Sequence, residues 1–370
     1  MTLPFHTFAL VTAMCIVPFA GVHAEPKTSA PYFSEPLPDL APNQLRDFYV
    51  GMERFSHFYG PDDGLGPLFN EHSCATCHAI PLAGGAGLSR STFVQQKSGH
   101  KNAAGGPNFA KFLLANGTQT TSRFDPSLEL RRPPSLHGLG LLEAIPTKDI
   151  LAGADPLDVN GDGISGRVGG TDGSFGRFGW KASVSSISVF NAQALINEHG
   201  VTSDLYPEDG TDNETIEIST ENRRVLDAFV TFLAAPPALP RTNHDVIDGE
   251  QVFSEIGCAA CHTPSHKLAE FEVPHLNGVQ IYPYTDLLLH DMGVDLADGI
   301  AEGEATAQEF RTPPLWGLKY LGPPYLHDGR AADVDSAIRL HGGEADQSVQ
   351  RYLQLEQPEL DLLIRFLHSI

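Results

Sequence analysis

The chain has 370 residues, of which 41% are hydrophobic and 19% charged, and its formal net charge at pH 7 is -22. This length and apolar content suit two globular domains of ordinary size. The acidic excess argues against nucleic acid or an anionic membrane surface as a partner, because like charges repel. The negative charge is compatible with a basic protein partner. It is equally compatible with a charge that only keeps the protein soluble.

The N-terminal segment is apolar and ends in small residues ahead of the first acidic residue, Glu25. This pattern predicts a secretory signal peptide over residues 1–24, cleaved after Ala24, and therefore a periplasmic protein. An uncleaved anchor is the alternative, although Pro18 and other breaks make the apolar stretch short for a membrane span. Residues 25–42 are rich in proline and are predicted to form an extended leader. No later stretch of the sequence is apolar enough to predict a membrane span in the mature chain.

The pattern C-x-x-C-H occurs twice, at Cys74–His78 and at Cys258–His262. Two cysteines at this spacing can form thioethers with the vinyl groups of a haem, and the histidine that follows can ligate its iron. A zinc site or a redox dithiol is the alternative, but neither accounts for a histidine after both copies. Only Cys15 lies outside the two motifs, within the predicted signal peptide. We therefore predict two covalently bound haems c, attached through Cys74, Cys77, Cys258 and Cys261, with His78 and His262 as iron ligands.

Landmarks around the two motifs recur in the same order, which indicates an internal duplication. The recurring pairs are Gly51-x-x-x-Phe55 with Gly249-x-x-x-Phe253, Leu130–Pro134 with Phe310–Pro314, and Leu226–Leu233 with Leu360–Leu367. The last pair has apolar residues at helical spacing, so a helix is predicted to close each unit and to pack on its haem-bearing helix. We predict a mainly α-helical protein of two cytochrome c-like haem domains, residues 43–235 and 236–370. The proline-rich run 234–240 marks the boundary, because it cannot continue a helix.

The first unit is longer than the second between its later landmarks, so an irregular Gly/Asp-rich insertion is predicted in the first domain. Within it, Asp158, Asn160 and Asp162 stand at alternate positions followed by glycine, as in the first half of a calcium loop. The position at which a full EF-hand has its bidentate glutamate is Gly169. Calcium binding and a plain turn region therefore both stay open.

Trp180, one of only two tryptophans, follows in the glycine-rich stretch Gly176–Ala182. An indole between two haems could relay electrons. The alternative is a buried aromatic side chain of the core.

The two C-x-x-C-H units, Arg311–Leu315 and Leu326–Gly329 together resemble the bacterial di-haem cytochrome c peroxidase superfamily. Three longer motifs resemble its di-haem oxidoreductase branch, some members of which are labelled thiol oxidoreductases: Arg132–Pro146, Gly176–Ala182 and Asp286–Gly293. The match runs from about Asn43 to the C-terminus. It implies a fold of two haem domains and a peroxidase-like activity.

The resemblance also implies a second ligand for the C-terminal haem. In the peroxidases this ligand, usually methionine, follows the H-D-G motif by a fixed interval, which counted from His327 leads to His341. A histidine there implies a lower haem potential than methionine would, because thioether sulfur stabilises ferrous iron. Met292 is the alternative ligand, and a hydrogen-bonding role for His341 is a third interpretation. His327 itself is expected to organise its loop.

The sequence does not single out a ligand for the distal side of the first haem. In the peroxidases a histidine lies in the loop after the first motif, but the corresponding residues 90–95 contain none, and His100 lies slightly beyond. Cleavage of a peroxide bond needs a base to move a proton and a donor to stabilise the leaving hydroxide. Glu143 and Arg132 supply these types and are, with Trp180, the predicted catalytic residues. The alternatives are a propionate partner for Arg132 and a helix-end surface position for Glu143.

These features predict an oxidoreductase that reduces hydrogen peroxide, or another small oxidant, at the N-terminal haem. Electrons would reach that haem through the C-terminal haem from a small redox protein such as a cytochrome c or a cupredoxin. The alternative from a different class is a di-haem electron carrier without peroxidase activity. Oxidation of a protein residue, as in the methylamine-utilisation di-haem type, and oxidation of an external thiol also stay open.

Overall fold

In a computed structural model of the protein, the described residues are 33–87, 92–94, 110–115, 118–121, 129–209, 215–238, 243–269 and 271–370. The predicted signal peptide, residues 25–32 of the predicted leader, and His100 lie outside them. The described residues belong to one compact unit. Within the described part of the chain, no helix has both the length and the apolar character needed to cross a membrane.

The helices and strands are short apart from four longer helices. The α-helices are α1 Pro42–Phe55, α2 Cys74–Cys77, α3 Leu139–Glu143, α4 Thr147–Leu151, α5 Ile187–Ala194, α6 Thr220–Phe232, α7 His244–Glu255, α8 Leu318–Leu321, α9 Val334–Arg339, α10 Asp346–Tyr352 and α11 Gln357–Leu367. A π-helical turn, Leu195–His199, continues α5, and 3-10 turns lie at Pro61–Asp63, Cys258–Ala260, Pro274–Leu276 and Gly343–Ala345. The strands are β1 Leu68–Phe69, β2 Thr92–Val94, β3 Phe112–Ala115, β4 Thr118–Thr121, β5 Glu129–Arg131, β6 His266–Lys267, β7 Gln280–Ile281, β8 Leu289–Asp291 and β9 Glu309–Arg311.

In the first half, α1 packs on α6 across the chain. The apolar faces of both helices meet here, with Phe48, Phe55 and Phe229 buried at their contact. The two backbones approach most closely at Gly51, where an added Cβ would lie 1.9 Å from the carbonyl oxygen of Val225. A glycine is therefore needed at this crossing point.

The second half repeats this crossing with α7 and α11. A Cβ at Gly249 would lie 2.2 Å from the carbonyl oxygen of Leu362, while Phe253 packs edge to face against Tyr284 and at a tilt against Phe366. The recurring G-x-x-x-F landmark therefore marks the same helix crossing in both halves. In the second half α7 ends just before the C-x-x-C-H motif, whereas in the first half the 3-10 turn Pro61–Asp63 and β1 lie between α1 and the motif.

The sheets are small and antiparallel, so the mainly helical prediction is correct only in part. The strand orders are β1-β3-β4, β2-β5, β6-β7 and β8-β9. The pair β8-β9 places Leu289 opposite Arg311, and Arg167 of the first half bridges to Leu289 from the other side. The strands thus fix loops around the two motifs rather than forming a sheet core.

Two main apolar cores lie beneath these elements. The first is built mostly by α1, α3, α5 and α6, but it also takes Leu287, Leu288 and Trp316 from the second half. The second lies between α7, α10 and α11, around Phe253 and Phe366. Because side chains of the second half complete the first core, the halves are not packed independently of each other.

Candidate haem site

A cavity of about 490 Å³ reaches both C-x-x-C-H motifs. Its lining includes Cys74, Cys77, His78, Cys258, Cys261 and His262. Cys74 and Cys258 carry free thiols, and burial raises the pKa of each to about 12, so they are protonated at neutral pH. Both motifs thus present their thiols and imidazoles to one enclosed, mostly apolar space.

His78 is oriented by the backbone. It follows directly after α2, and its Nδ1 donates to the carbonyl oxygens of Gly85 at 3.1 Å and Pro134 at 3.0 Å. Burial lowers the pKa of His78, and these two bonds only partly oppose that effect. A neutral imidazole held at Nδ1 leaves Nε2 as the ligand atom, which is the arrangement found around iron-ligating histidines.

His262 is held in the same way, with Nδ1 donating to the carbonyl oxygen of Tyr284 at 3.0 Å. Burial lowers its pKa to about 4, and the nearby His341 contributes in the same direction. His341 also lines the cavity, and its Nδ1 donates to the carbonyl oxygen of Ala337 at 2.7 Å. Two neutral imidazoles, each with Nε2 available, therefore lie near each other at the second motif.

The first motif has a different environment. The pKa of His78 is shifted by burial and by its two bonds to backbone carbonyl oxygens, and no second imidazole is among the causes of that shift. Among the cavity-lining histidines, His199 comes closest to this motif, with Nε2 3.4 Å from Sγ of Cys74. Its Nδ1 donates to the carbonyl oxygen of Glu71 at 2.7 Å, and burial lowers its pKa to about 4. Sequence reasoning missed His199, which is far from the motif along the chain.

Two predicted catalytic residues have positions that favour structural roles. Arg132 lines the cavity, but its guanidinium donates to the carbonyl oxygens of Gly87 and of residues 321, 322 and 324. Glu143 does not line the cavity, because α3 ends there and its carboxylate accepts a bond of 2.9 Å from the backbone N–H of Ile187 at the start of α5. Burial raises the pKa of Glu143. This placement does not support an acid-base role for Glu143.

Trp180 lies on the cavity wall, with Nε1 donating to the carbonyl oxygen of Arg132 at 2.9 Å. Its ring lies edge to face with that of His327, at a centroid distance of 6.3 Å. His327 in turn stacks on Phe310 at 4.0 Å, and Nζ of Lys181 lies 3.6 Å from the centre of the Phe310 ring. These aromatic side chains form a continuous row along the cavity wall between the two halves.

Buried charges join the halves behind this row. Arg131 donates through Nε and Nη2 to Asp298 at 2.9 and 2.7 Å, and through Nη1 to Glu302 at 2.8 Å. Lys181 has no exposed surface and donates to three backbone carbonyl groups at residues 306, 307 and 309. Burial lowers the pKa of Lys181 to about 8, with Asp298 opposing the shift.

A second buried cluster lies beside the second motif. His290 bonds through Nε2 to Asp286 at 2.8 Å and through Nδ1 to Glu344 at 2.7 Å, and Nδ1 also lies 3.5 Å from Sγ of Cys261. Burial alone would lower the pKa of His290, but Asp286, Cys261 and Glu344 raise it to about 12. Burial would likewise raise the pKa of Glu344, yet bonds from His290 and Ser165 lower it to about 2. His290 is therefore an imidazolium between two carboxylates, which the sequence did not predict.

We expect Glu344→Gln to destabilise the protein in a pH-dependent way. Because the folded-state pKa lies below the ordinary value of 4.5, this carboxylate stabilises the fold above pH 4.5 and ceases to do so as the pH falls toward 2. Chemical denaturation of the holoprotein should show a loss on the order of 2 kcal/mol at pH 7 that shrinks toward pH 3. Glu221→Gln, at an exposed ion pair with Arg224, is the control and should change little. An equal loss at both pH values would assign the effect to packing.

The remaining predicted ligands occupy two places. Met292 lines the cavity, as does the neighbouring Glu344. Asp158, Asn160 and Asp162 lie in an exposed loop whose side-chain oxygens accept bonds from backbone N–H groups of the same loop. Within the described residues, no group of three or more His, Cys, Asp and Glu side chains is arranged to hold a metal ion. Calcium binding stays a prediction.

Comparisons with known proteins agree with a redox protein that holds two haems. The model of the family described as "Di-haem oxidoreductase, putative peroxidase" matches residues 115–226 and 221–370. The chain therefore belongs to this family of oxidoreductases. No protein of curated function matches the chain.

Two solved structures are similar to the chain at low identity. Hydrazine synthase of Kuenenia stuttgartiensis, pressurised with xenon, is 14% identical, with a TM-score of 0.46 and coverage of 100% of both chains. A MauG-like protein associated with microbial copper homeostasis is 15% identical, with a TM-score of 0.44 and coverage of 92% of this chain and 93% of that one.

Proposed function

We propose that the chain is a periplasmic c-type di-haem oxidoreductase that reduces hydrogen peroxide at the N-terminal haem with electrons relayed through the C-terminal haem. The observation that carries this proposal is the unequal environment of the two motif histidines. His262 has the neutral imidazole of His341 nearby, whereas the imidazole beside the first motif, that of His199, lies against Sγ of Cys74 and bonds to the carbonyl oxygen of Glu71. The first site is therefore the one suited to bind a small oxidant.

The side chains in the cavity fit two haems c. The cysteines of each motif would form thioethers, His78 and His262 would each ligate one iron, and His341 would complete the second site. Bound in this way, the haems would supply one-electron redox chemistry. Reduction of hydrogen peroxide to two waters consumes two electrons and two protons, so two redox centres match the reaction.

The chain's own residues hold this arrangement. Arg132 fixes the loop at residues 321–324 against the first motif, and Pro134 orients His78 through its carbonyl oxygen. We assign Arg132 and Glu143 positioning roles, because hydrogen bonds to the backbone already engage their charged groups. The donor would be a small basic redox protein, a cytochrome c or a cupredoxin, attracted by the net charge of -22.

Electron paramagnetic resonance of the oxidised and the half-reduced holoprotein tests this function. A high-spin ferric signal from one haem that hydrogen peroxide consumes would support it. Two low-spin signals in both states that peroxide leaves unchanged would overturn it.

That second outcome would favour a di-haem electron carrier, the alternative function. One observation favours this alternative: His199 is a buried neutral imidazole on the cavity wall beside Cys74. If His199 ligates the first iron, His199→Ala should convert one low-spin signal to high spin.

We expect Trp180→Phe to slow peroxide reduction. Phenylalanine keeps the aromatic packing against His327 but lacks the oxidisable indole and its bond to Arg132. The steady-state kcat should fall about tenfold, a rise of about 1.4 kcal/mol in the barrier, with KM for peroxide little changed. Trp316→Phe is the matched control, because Trp316 is the other tryptophan and also lines the cavity. Equal losses in both variants would contradict a relay through Trp180.

A further inference from the structure

Arg311 is a buried cation to which no carboxylate is bonded within the described part of the chain. It lies at the end of β9, is 5% exposed and lines the cavity. Burial lowers the pKa of its guanidinium to about 10, so Arg311 is charged at neutral pH. Asp286 is the carboxylate that opposes this shift, but its oxygens already accept bonds from His290 at 2.8 Å and from the backbone N–H of Leu288 at 2.9 Å. A buried charge is costly unless an opposite charge compensates it.

The duplicated position in the first half is occupied differently. Arg131 ends β5 as Arg311 ends β9, and each stands two residues ahead of a Pro-Pro pair. Arg131 forms ion pairs with two carboxylates, at distances of 2.7 and 2.8 Å. The chain therefore compensates the charge of one of these arginines with its own side chains, and it leaves the other for a different anion.

One nitrogen of the Arg311 guanidinium is open to the cavity. Nε donates to the carbonyl oxygen of Gly179 at 2.9 Å, and Nη1 donates to that of Thr312 at 3.0 Å. Nη2 makes no hydrogen bond within the described residues, and it is not one of the unpaired side-chain atoms that the protein encloses. Arg132, which also lines the cavity, differs because all three of its guanidinium nitrogens donate to backbone carbonyl groups. The two bonds of Arg311 thus fix its guanidinium and leave Nη2 for an anion in the cavity.

Arg311 is tied to the half that holds the second motif. Its strand, β9, pairs with β8, where Leu289 stands opposite Arg311. The segment that leads into β8 is bonded to the second motif, because the backbone N–H of Asp286 donates to the carbonyl oxygen of Cys261 at 3.0 Å. An anion at Nη2 would therefore lie on the side of the cavity where the second haem is attached.

We propose that Arg311 pairs with a propionate carboxylate of the haem attached to the second motif. A haem carries its own propionate carboxylates, and a fixed guanidinium suits a carboxylate in both charge and shape. This inference rests on the two haems of the proposed function but not on its peroxide chemistry. A cation here would raise the reduction potential of that haem, because it favours the extra negative charge of the reduced state. It would thereby oppose the lower potential that ligation by two histidines implies.

Replacement of Arg311 should lower the reduction potential of the second haem alone. Potentiometric titration of the Arg311→Leu holoprotein, followed optically and by electron paramagnetic resonance, measures the midpoint potential of each haem. Loss of the cation should shift the redox equilibrium of the second, low-spin haem about tenfold toward ferric iron, which is about 59 mV for one electron. Arg311→Lys keeps the charge and should retain most of the wild-type potential. If Arg311→Leu fails to fold, Arg311→Gln serves the titration, and the same fall is expected.

Arg177→Leu is the matched control. Arg177 is similarly buried, with 7% of its surface exposed, but it does not line the cavity. Its guanidinium also donates to backbone carbonyl groups, those of Leu142, Glu143 and Ile145. Both haem potentials should therefore keep their wild-type values in this variant. A fall as large as that of Arg311→Leu would assign the effect to loss of a buried arginine in general and overturn the inference.

The other outcomes separate this inference from its rivals. Unchanged potentials in Arg311→Leu, a fall confined to the first haem, or an equal fall in Arg311→Lys would each contradict it. Titration of the wild-type protein with added sodium formate tests for a free carboxylate, and a potential that varies with formate concentration would overturn the propionate assignment. Haems that peroxide leaves unchanged would overturn the proposed function, while a fall specific to Arg311→Leu would still support the inference.

Discussion

Cys258→Ser/Cys261→Ser is expected to keep one haem covalently attached and to lose sustained peroxide reduction almost completely. The thiols of the second motif are the only groups there able to form thioethers. Without them the haem of that half would be released when the chain is denatured. The first motif would stay intact, because His78 is oriented by Gly85 and Pro134 and not by the second half's motif. We expect one haem per chain after denaturation and a single fast turnover with peroxide, followed by loss of activity once electrons are no longer delivered.

Cys74→Ser/Cys77→Ser provides the opposite case. It should also retain one attached haem, but it should consume no peroxide even in a single turnover. The measurements are haem stoichiometry after denaturation and rapid-mixing kinetics with and without a reducing donor. Sustained turnover by the Cys258→Ser/Cys261→Ser variant would show that the second haem is not on the electron path.

The sequence was sufficient where the chemistry is contiguous. A C-x-x-C-H motif carries both thiols and the imidazole in one short segment, so the cavity-lining position of His78 and His262 follows from local spacing. The closing helices α6 and α11 were predicted from apolar periodicity. The recurring G-x-x-x-F landmark marks the helix crossings at Gly51 and Gly249. His341 was reached by counting from a resembling motif, and the structure places it on the same cavity wall as His262.

The sequence was insufficient where one site combines distant segments. His199 and His290 reach the cysteines of the two motifs from 125 and 29 residues away. His199 belongs to no recognised motif, and the Asp286–Gly293 motif that contains His290 does not indicate which side chains it meets. A π-helical turn likewise has no reliable sequence signal, although His199 followed by a glycine marks the end of this helix.

Glu143 shows what a motif does not reveal, and its catalytic role stays a prediction. Its place in a motif next to Arg132 suggested a catalytic acid-base group, but motif membership does not give the direction of a side chain. The helix α3 ends at Glu143, and the carboxylate bonds to the backbone N–H of Ile187. The carboxylate therefore lies at the first turn of α5, where exposed backbone N–H groups stabilise a negative charge. This explains why an acidic residue suits position 143.

Arg131→Leu is expected to destabilise the protein by about 3–5 kcal/mol, the cost of leaving buried carboxylates without their partner. Arg131 and Asp298 are both buried, with side chains 7% and 2% exposed, and Glu302 completes the cluster at 2.8 Å. Burial alone would lower the pKa of Arg131, but Glu302 and Asp298 raise it, so the guanidinium is charged in the fold. The variant would retain Lys181, 3.4 Å from Asp298, as the one cation of this cluster.

Denaturant unfolding of the holoprotein measures this loss, and Arg365→Leu is the control for removing an arginine from an exposed ion pair. Arg365 is 54% exposed beside Asp245 at 43%, so its replacement should cost no more than about 1 kcal/mol. Similar losses in the two variants would mean that the Arg131 cluster gains nothing from burial. Because Arg131 belongs to the first half and Asp298 to the second, a large loss specific to Arg131→Leu would show that the wall between the two motifs is held by charge as well as by apolar packing. The row of Trp180, His327 and Phe310 would then depend on this cluster for its geometry, since Lys181 contacts both Asp298 and Phe310.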